Sequence, residues 1–182
     1  MQYLLKISIE NTQAWRLIAV DGEADCAHVA HLITLAFDYQ EGTESLIVSK
    51  QKLECGVAGE PQGLKALETF DSLKLEMDDD FEFAISSNPN LKHIVHVMKK
   101  EEHLFCLMPS CLVGSGLMPK NHDLTADEIN AFYDSEEIQS LDLREVTNRL
   151  RAYGSKRKNL DGNKVSEAVV RSGAAPLNFE LK

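Results

Sequence analysis

The sequence predicts an α+β fold: an α/β roll in which a mixed, mostly antiparallel sheet packs on one amphipathic helix, followed by a helical C-terminal extension. Three observations carry this expectation. Two strand-like segments stand side by side at the start of the chain, a helix-spaced apolar stripe follows them directly, and two helix-capping patterns lie in the last third. A helix that follows a hairpin can hide its stripe only by lying across the sheet, so a layered structure with further strands is required.

Leu5, Ile7 and Ile9 alternate with Lys6, Ser8 and Glu10, the period of a half-buried strand. Asn11 and Thr12 read as a turn, and Ala14 to Val20 as a second strand close enough to pair antiparallel with the first. After Asp21-Gly22, the residues Cys26, Val29, Ala30, Ile33, Ala36 and Phe37 form the apolar stripe, with Asp25 placed to cap the helix. Trp15 and Phe37 are in period with their elements and read as core anchors. Further strands are expected over 45–49, 81–85 and 92–98, and Glu54 to Gln62 reads as loop.

In Leu124-Thr125-Ala126-Asp127-Glu128-Ile129, Thr125 caps a helix, Glu128 reaches back to it and Leu124 staples to Ile129. A second helix is expected from about Asp142, with Glu145 in the same reciprocal role. It would bury Leu143, Val146, Leu150 and Tyr153 and stop at Gly154. A third, short helix is expected over about 164–171.

The 182 residues fit one compact domain, or a domain with an extension, large enough to bury a core without a metal or disulfide staple. Cys26, Cys55, Cys106 and Cys111 match no disulfide framework, which suits a reducing compartment. No long apolar run occurs, and Met1 leads directly into a strand without a basic leader. Neither membrane insertion nor secretion is expected, and the cytoplasm is the expected location. The net charge is −10, yet residues 141–182 hold nine Lys or Arg against five Asp or Glu, while residues 1–140 hold ten against twenty-four. The charge boundary near 141 is a candidate structural boundary, and the chain is expected to comprise an α+β domain over 1–123 and a helical C-terminal extension over 124–182 that carries the basic tail.

Tyr3, Leu5, Lys6 and Ile7, then Trp15-Arg16, then a helix closing on Ala36-Phe37, resemble the opening of the Ri-plasmid open-reading-frame-three-like family. Phe81 to Ile85 is similar to the family's aromatic strand, His93 falls where its Trp-x-His motif has the histidine, and Met108 to Gly116 resembles its proline, cysteine and glycine loop. The resemblance covers about residues 3–123 and implies an α+β roll, in some members a mobile-element passenger, with no established reaction. The departures bear on function. Val29-Ala30 stands where the family has Leu-His, Thr43 to Ser45 where it has His-Leu-His, and Leu91 where it has Trp. Ser86-Ser87-Asn88-Pro89 replaces Asp-Phe-Gly-Asp, and Met118-Pro119-Lys120-Asn121 replaces Pro-Pro-Glu-Asp. If those histidines and acids serve a metal or proton transfer in the relatives, this chain keeps the scaffold without the equipment, since amides and alcohols cannot replace a titratable pair. If they only cap turns, their absence says little about activity.

The densest set of ligand-type residues is His93, His96, His103, Cys106 and Cys111, a mixture of imidazole and sulfur that suits zinc. The spacing argues against it: His93 and His96 fall on opposite faces of a strand, and Cys106 with Cys111 lacks a second pair. His93, His103, Cys106 and Cys111 are therefore kept as the metal candidates, while no metal or cofactor is assigned. Cys106 reads as packing and His96 as a surface or edge residue.

A nucleophile at Cys111 or Ser115 would need amide donors such as Gly114 and Gly116 could supply, but Gly114-Ser115-Gly116 lacks the strand-to-helix context of a nucleophile elbow. No catalytic residue is assigned. Asp78-Asp79-Asp80 lacks the alternating ligands of a calcium loop and reads as a solvated turn. Lys156, Arg157 and Lys158, with Arg149 and Arg151 on the helix before them, could contact phosphate or dock on the acidic domain.

These readings favour a non-enzymatic interaction module with a protein partner and no membrane contact. The alternatives are nucleic-acid binding through the basic C-terminal helices and a metal-assisted hydrolase. They also carry a structural expectation, that nothing titratable gathers between the first helix and the hairpin.

Overall fold

The alternation at the start of the chain is realised as β1 (Gln2–Ile9), in which Tyr3, Leu5, Ile7 and Ile9 are buried and the positions between them half-buried. It pairs antiparallel with β2 (Trp15–Asp21), and the register sets Arg16, Ile18 and Val20 beside Ile7, Leu5 and Tyr3. Trp15, expected in the core, therefore lies half-buried on the outer face, where the Lys6 ammonium sits 5.2 Å over its ring. A strand has two faces and one register, so placing Ile18 and Val20 inward forces Arg16 inward with them.

The computed structural model describes residues 1–135 and 140–158, with side chains through residue 154. The remaining strands are β3 (Thr43–Val48), β4 (Gln51–Val57), β5 (Glu60–Pro61), β6 (Asp80–Ile85), β7 (His93–Glu101) and β8 (Ser110–Ser115). They form one eight-stranded sheet in the order β5-β4-β3-β6-β7-β1-β2-β8, and every described pairing is antiparallel. The fold is α+β, as expected. Two segments expected as loops are strands, 54–62 in β4 and β5 and most of 108–116 in β8. Glycine hides both: Gly56 takes φ 126° at an irregularity opposite Glu44 and Ser45, and Gly114 lies within β8.

The helix α1 (Cys26–Phe37) starts as the capping chemistry requires, with the Asp25 carboxylate accepting from the His28 amide at 2.7 Å. It is not buried along one stripe only. All its residues but Leu35 are buried, because the sheet covers one side while α3 (Leu143–Lys158), the β4–β5 hairpin and a 3-10 turn (Leu64–Leu67) cover others.

In α2 (Ala126–Tyr133) both capping-box bonds form between Thr125 and Glu128, and Leu124 and Ile129 are buried. In α3 the box is half made. Asp142 accepts from the Arg144 and Glu145 amides, but the Glu145 carboxylate turns to Arg149 at 3.2 Å. Val146 and Leu150 are buried, and Leu143 and Tyr153 half-buried. The helix does not stop at Gly154 but continues to Lys158. Gly154 serves a close contact instead, since a Cβ there would lie 2.9 Å from Pro109 Cδ. The helix expected over 164–171 lies outside the described residues.

Leu124, Ile129, Val146 and Leu150 join one buried cluster with α1 and the strands, so the helical extension packs on the sheet domain. Both sheet edges are protected: β5 is two residues long and includes Pro61, and α3 runs beside β8. No described helix is long and apolar enough to cross a membrane.

Candidate functional site

Titratable groups gather on α1, between it and β3 and α3 and not beneath the hairpin, where the sequence predicts none. His28, His31 and Thr34 recur every three residues on α1, and Glu44 on β3 points inward because its register places it beside Ile85. Glu44 Oε1 lies 2.7 Å from His31 Nδ1 and accepts from the Thr34 hydroxyl at 2.6 Å. Glu44 has 1 % side-chain exposure, and its Oε2 accepts no hydrogen bond among the described residues.

Tyr153 from α3 closes the cluster, its ring stacked on His28 at 4.7 Å and edge-on to His31 at 4.6 Å. Its hydroxyl fills the space where Gly59 lacks a Cβ. A carboxylate that orients an imidazole is the device used to hold a base or a metal ligand in one tautomer. Here the ring of Tyr153 covers the imidazoles, and among the described residues no group of three or more His, Cys, Asp or Glu is arranged to hold a metal. The cluster joins α1 to β3 and α3. Its trace in the sequence is the polar spacing of His28, His31 and Thr34, which looks like a solvent face until a second covering layer is known.

The metal candidates are dispersed. His93 is fully buried among the rings of Phe37, Tyr39 and Phe83, with the Tyr39 oxygen 2.8 Å from Nε2. Burial drives its pKa down to about 4, with the Phe83 backbone opposing, so it is a neutral core residue. His103 is exposed and Cys106 half-buried in the β7–β8 loop. Cys111 is buried in β8, where burial raises its thiol pKa against the pull of Arg16. His96 lies on the outer face, its Nδ1 2.6 Å from Asp80 and its Nε2 3.6 Å from Asp78.

The Gly114-Ser115-Gly116 turn offers carbonyls where an oxyanion site would need amides. Ser115 and Gly116 accept from the buried guanidinium of Arg16 at 2.7 and 2.8 Å. Arg16 also donates to the Ala36 carbonyl at 3.0 Å and lies 4.8 Å from the Phe37 ring centre.

Of the basic candidates, Arg149 is engaged within the molecule. It donates to the Leu35 carbonyl at 3.1 Å, near the negative end of α1, with Asp38 3.7 Å away. Arg151 is exposed on α3. Lys156, Arg157 and Lys158 belong to the last turns of α3, and their side chains lie outside the described residues.

Two surface features remain. An open pocket of about 400 Å³ is lined by Pro119, Asn121, His122, Leu124, Glu128 and Phe132, with Glu128 already committed to the α2 cap. The other is apolar. Of the nine exposed large hydrophobic residues among the described residues, five fall between residues 98 and 113: Met98, Phe105, Leu107, Leu112 and Val113. Phe105 is completely exposed and Leu107 is 72 % exposed.

No family model and no curated protein matches the chain. The structure is similar to the crystal structure of a protein of unknown function, MM3350 from Methanosarcina mazei Go1, with 17 % identity and a TM-score of 0.55 over 76 % of this chain and 84 % of that one. At this identity the likeness shows a shared α+β fold.

Proposed function

We propose that the protein is a non-enzymatic interaction module that binds a protein partner through the apolar surface on and before β8. The observation that supports this is the exposure of Phe105 and Leu107, a few residues before Leu112 at 39 % and Val113 at 46 % exposure in the same stretch of chain. Exposed apolar side chains concentrated in one stretch mark contact surfaces, whereas the same residues scattered singly are ordinary. The resemblance to the plasmid family supports the same reading, since a scaffold without that family's histidines and acids can still bind.

The test compares cross-linked partners of the wild-type protein with those of a Phe105→Asp, Leu107→Asp variant in the native cells. The expected result is one or more proteins held by the wild type and lost from the variant. Identical partner sets for the two would reject this surface.

A further inference from the structure

We infer that the edge formed by β8 and α3 takes an acidic protein segment bearing apolar side chains; this rests on the interaction reading above and names its partner class. The helix α3 runs antiparallel to β8, with Leu141 near Gly114, Thr147 on Cys111 and Gly154 against Pro109. The strand that carries the exposed Leu112 and Val113 and a helix rich in basic residues thereby lie side by side.

Their charges differ sharply from the rest of the chain. β8 has no charged residue, and residues 143–158 hold six Lys or Arg against one Glu, in a protein of net charge −10. Arg144 is exposed on this helix. A segment that mixes acidic with aliphatic or aromatic side chains satisfies both halves at once: opposite charge steers it in, and apolar burial holds it. Strand addition is not its mode of binding, because Thr147 already occupies the outward amide and carbonyl of Cys111.

Nucleic acid fits less well. Residues 1–140, with twenty-four acidic against ten basic side chains, repel a phosphate backbone. The single aromatic of α3, Tyr153, is stacked on His28 and not offered to a base.

The test pans a display library of short random peptides on the full-length protein, then measures affinities of the enriched peptides by fluorescence anisotropy. Three proteins are compared: wild type, Phe105→Asp with Leu107→Asp, and a charge-reversed variant with Arg144→Glu, Lys156→Glu, Arg157→Glu and Lys158→Glu. Circular dichroism checks that each variant is folded.

The expected result is net-acidic peptides carrying apolar residues, each losing affinity about tenfold or more on both variants and weakening as salt rises. Peptides that need Phe105 and Leu107 but show no acidic bias and ignore charge reversal would overturn the acidic partner while leaving the interaction reading standing. Peptides indifferent to Phe105 and Leu107, or no enrichment at all, would overturn both. Tighter, charge-dependent binding of a random DNA duplex, or of phosphatidylserine–phosphatidylcholine vesicles, would replace the protein partner with that ligand.

Discussion

The Thr147 hydroxyl both accepts from the Cys111 amide and donates to the Cys111 carbonyl, each at 3.1 Å. One side chain thus occupies two backbone groups on the open side of an edge strand. An unpaired edge is a template for pairing with another chain, so the contact does two things: it anchors α3 and it protects β8 from other strands.

Thr147→Val keeps the shape and removes both bonds. The expected loss is about 1–3 kcal/mol, because a partly buried amide and carbonyl lose their partner. Thr147→Ser should retain most of the stability. Urea unfolding of the three proteins measures this, and size-exclusion chromatography should show self-association of the valine variant alone. A valine variant as stable and as monodisperse as the wild type would show that the edge needs no such protection.

Glu44 is held by His31 and Thr34 through one oxygen, while its other oxygen is buried without a hydrogen-bond partner among the described residues. Glu44→Ala removes the short bond of the Thr34 hydroxyl, leaving it the Ala30 carbonyl at 3.5 Å, takes the partner from the His31 ring and opens a cavity, a change expected to cost on the order of 3 kcal/mol. Glu44→Gln keeps the side-chain volume and an oxygen acceptor for Thr34, so it should cost less than half as much. Equal urea midpoints for the two variants would mean that neither the retained acceptor nor the retained volume carries weight.

The parts of this fold that were legible in the sequence are those whose cause is local. Asp25 and Thr125 start helices through bonds to amides three residues away, and the β1 alternation depends only on neighbours. Arg16 and Glu44 were illegible for the opposite reason. Each is charged yet faces inward because its strand's register is set by apolar residues on other strands, Ile7 beside Arg16 and Ile85 beside Glu44. Their partners, the Ala36 carbonyl and the His31 ring, come from α1. The apolar surface was hidden too, since Phe105 and Leu107 look like core residues until the chain is seen to turn outward before β8.

His93 supplies a pH dependence. Its pKa is about 4 in the folded protein, lowered chiefly by burial, against about 6.5 for an unperturbed histidine. Between these values the unfolded chain binds a proton that the folded protein does not. Stability therefore falls as pH drops from about 6.5 toward 4, by up to roughly 3 kcal/mol. A His93→Leu, Tyr39→Phe variant removes the imidazole together with the hydroxyl that contacts it. Its stability should change less between pH 7 and pH 5 than that of the wild type; equal changes would mean that the loss comes from other groups.

Arg16 links three elements through carbonyls of Ala36, Ser115 and Gly116, with 1 % exposure and no carboxylate partner among the described residues. The planar fork meets several acceptors at once, which an ammonium on a flexible stem cannot reproduce. Arg16→Lys should therefore lose about 2 kcal/mol or more in chemical denaturation, and Arg16→Met a comparable amount by stranding the same carbonyls. A lysine variant within about 0.5 kcal/mol of the wild type would show that charge, and not fork geometry, holds the turn after β8.

Gly154 separates helix propensity from packing. In an open helix, Gly→Ala gains about 1 kcal/mol. Here the new methyl would meet Pro109 at 2.9 and 3.0 Å, closer than carbon atoms pack, and Pro109 is a rigid ring beside β8. For α3 to stay docked, the helix or the proline loop must shift, and overpacking of this kind costs about 1–3 kcal/mol. The net expectation is that Gly154→Ala destabilises the protein despite its better propensity, and that hydrogen exchange quickens at the amide of Cys111, whose bond to Thr147 depends on the same docking. A stabilised variant with unchanged exchange would mean that α3 rests on β8 more loosely than the Gly154–Pro109 contact implies.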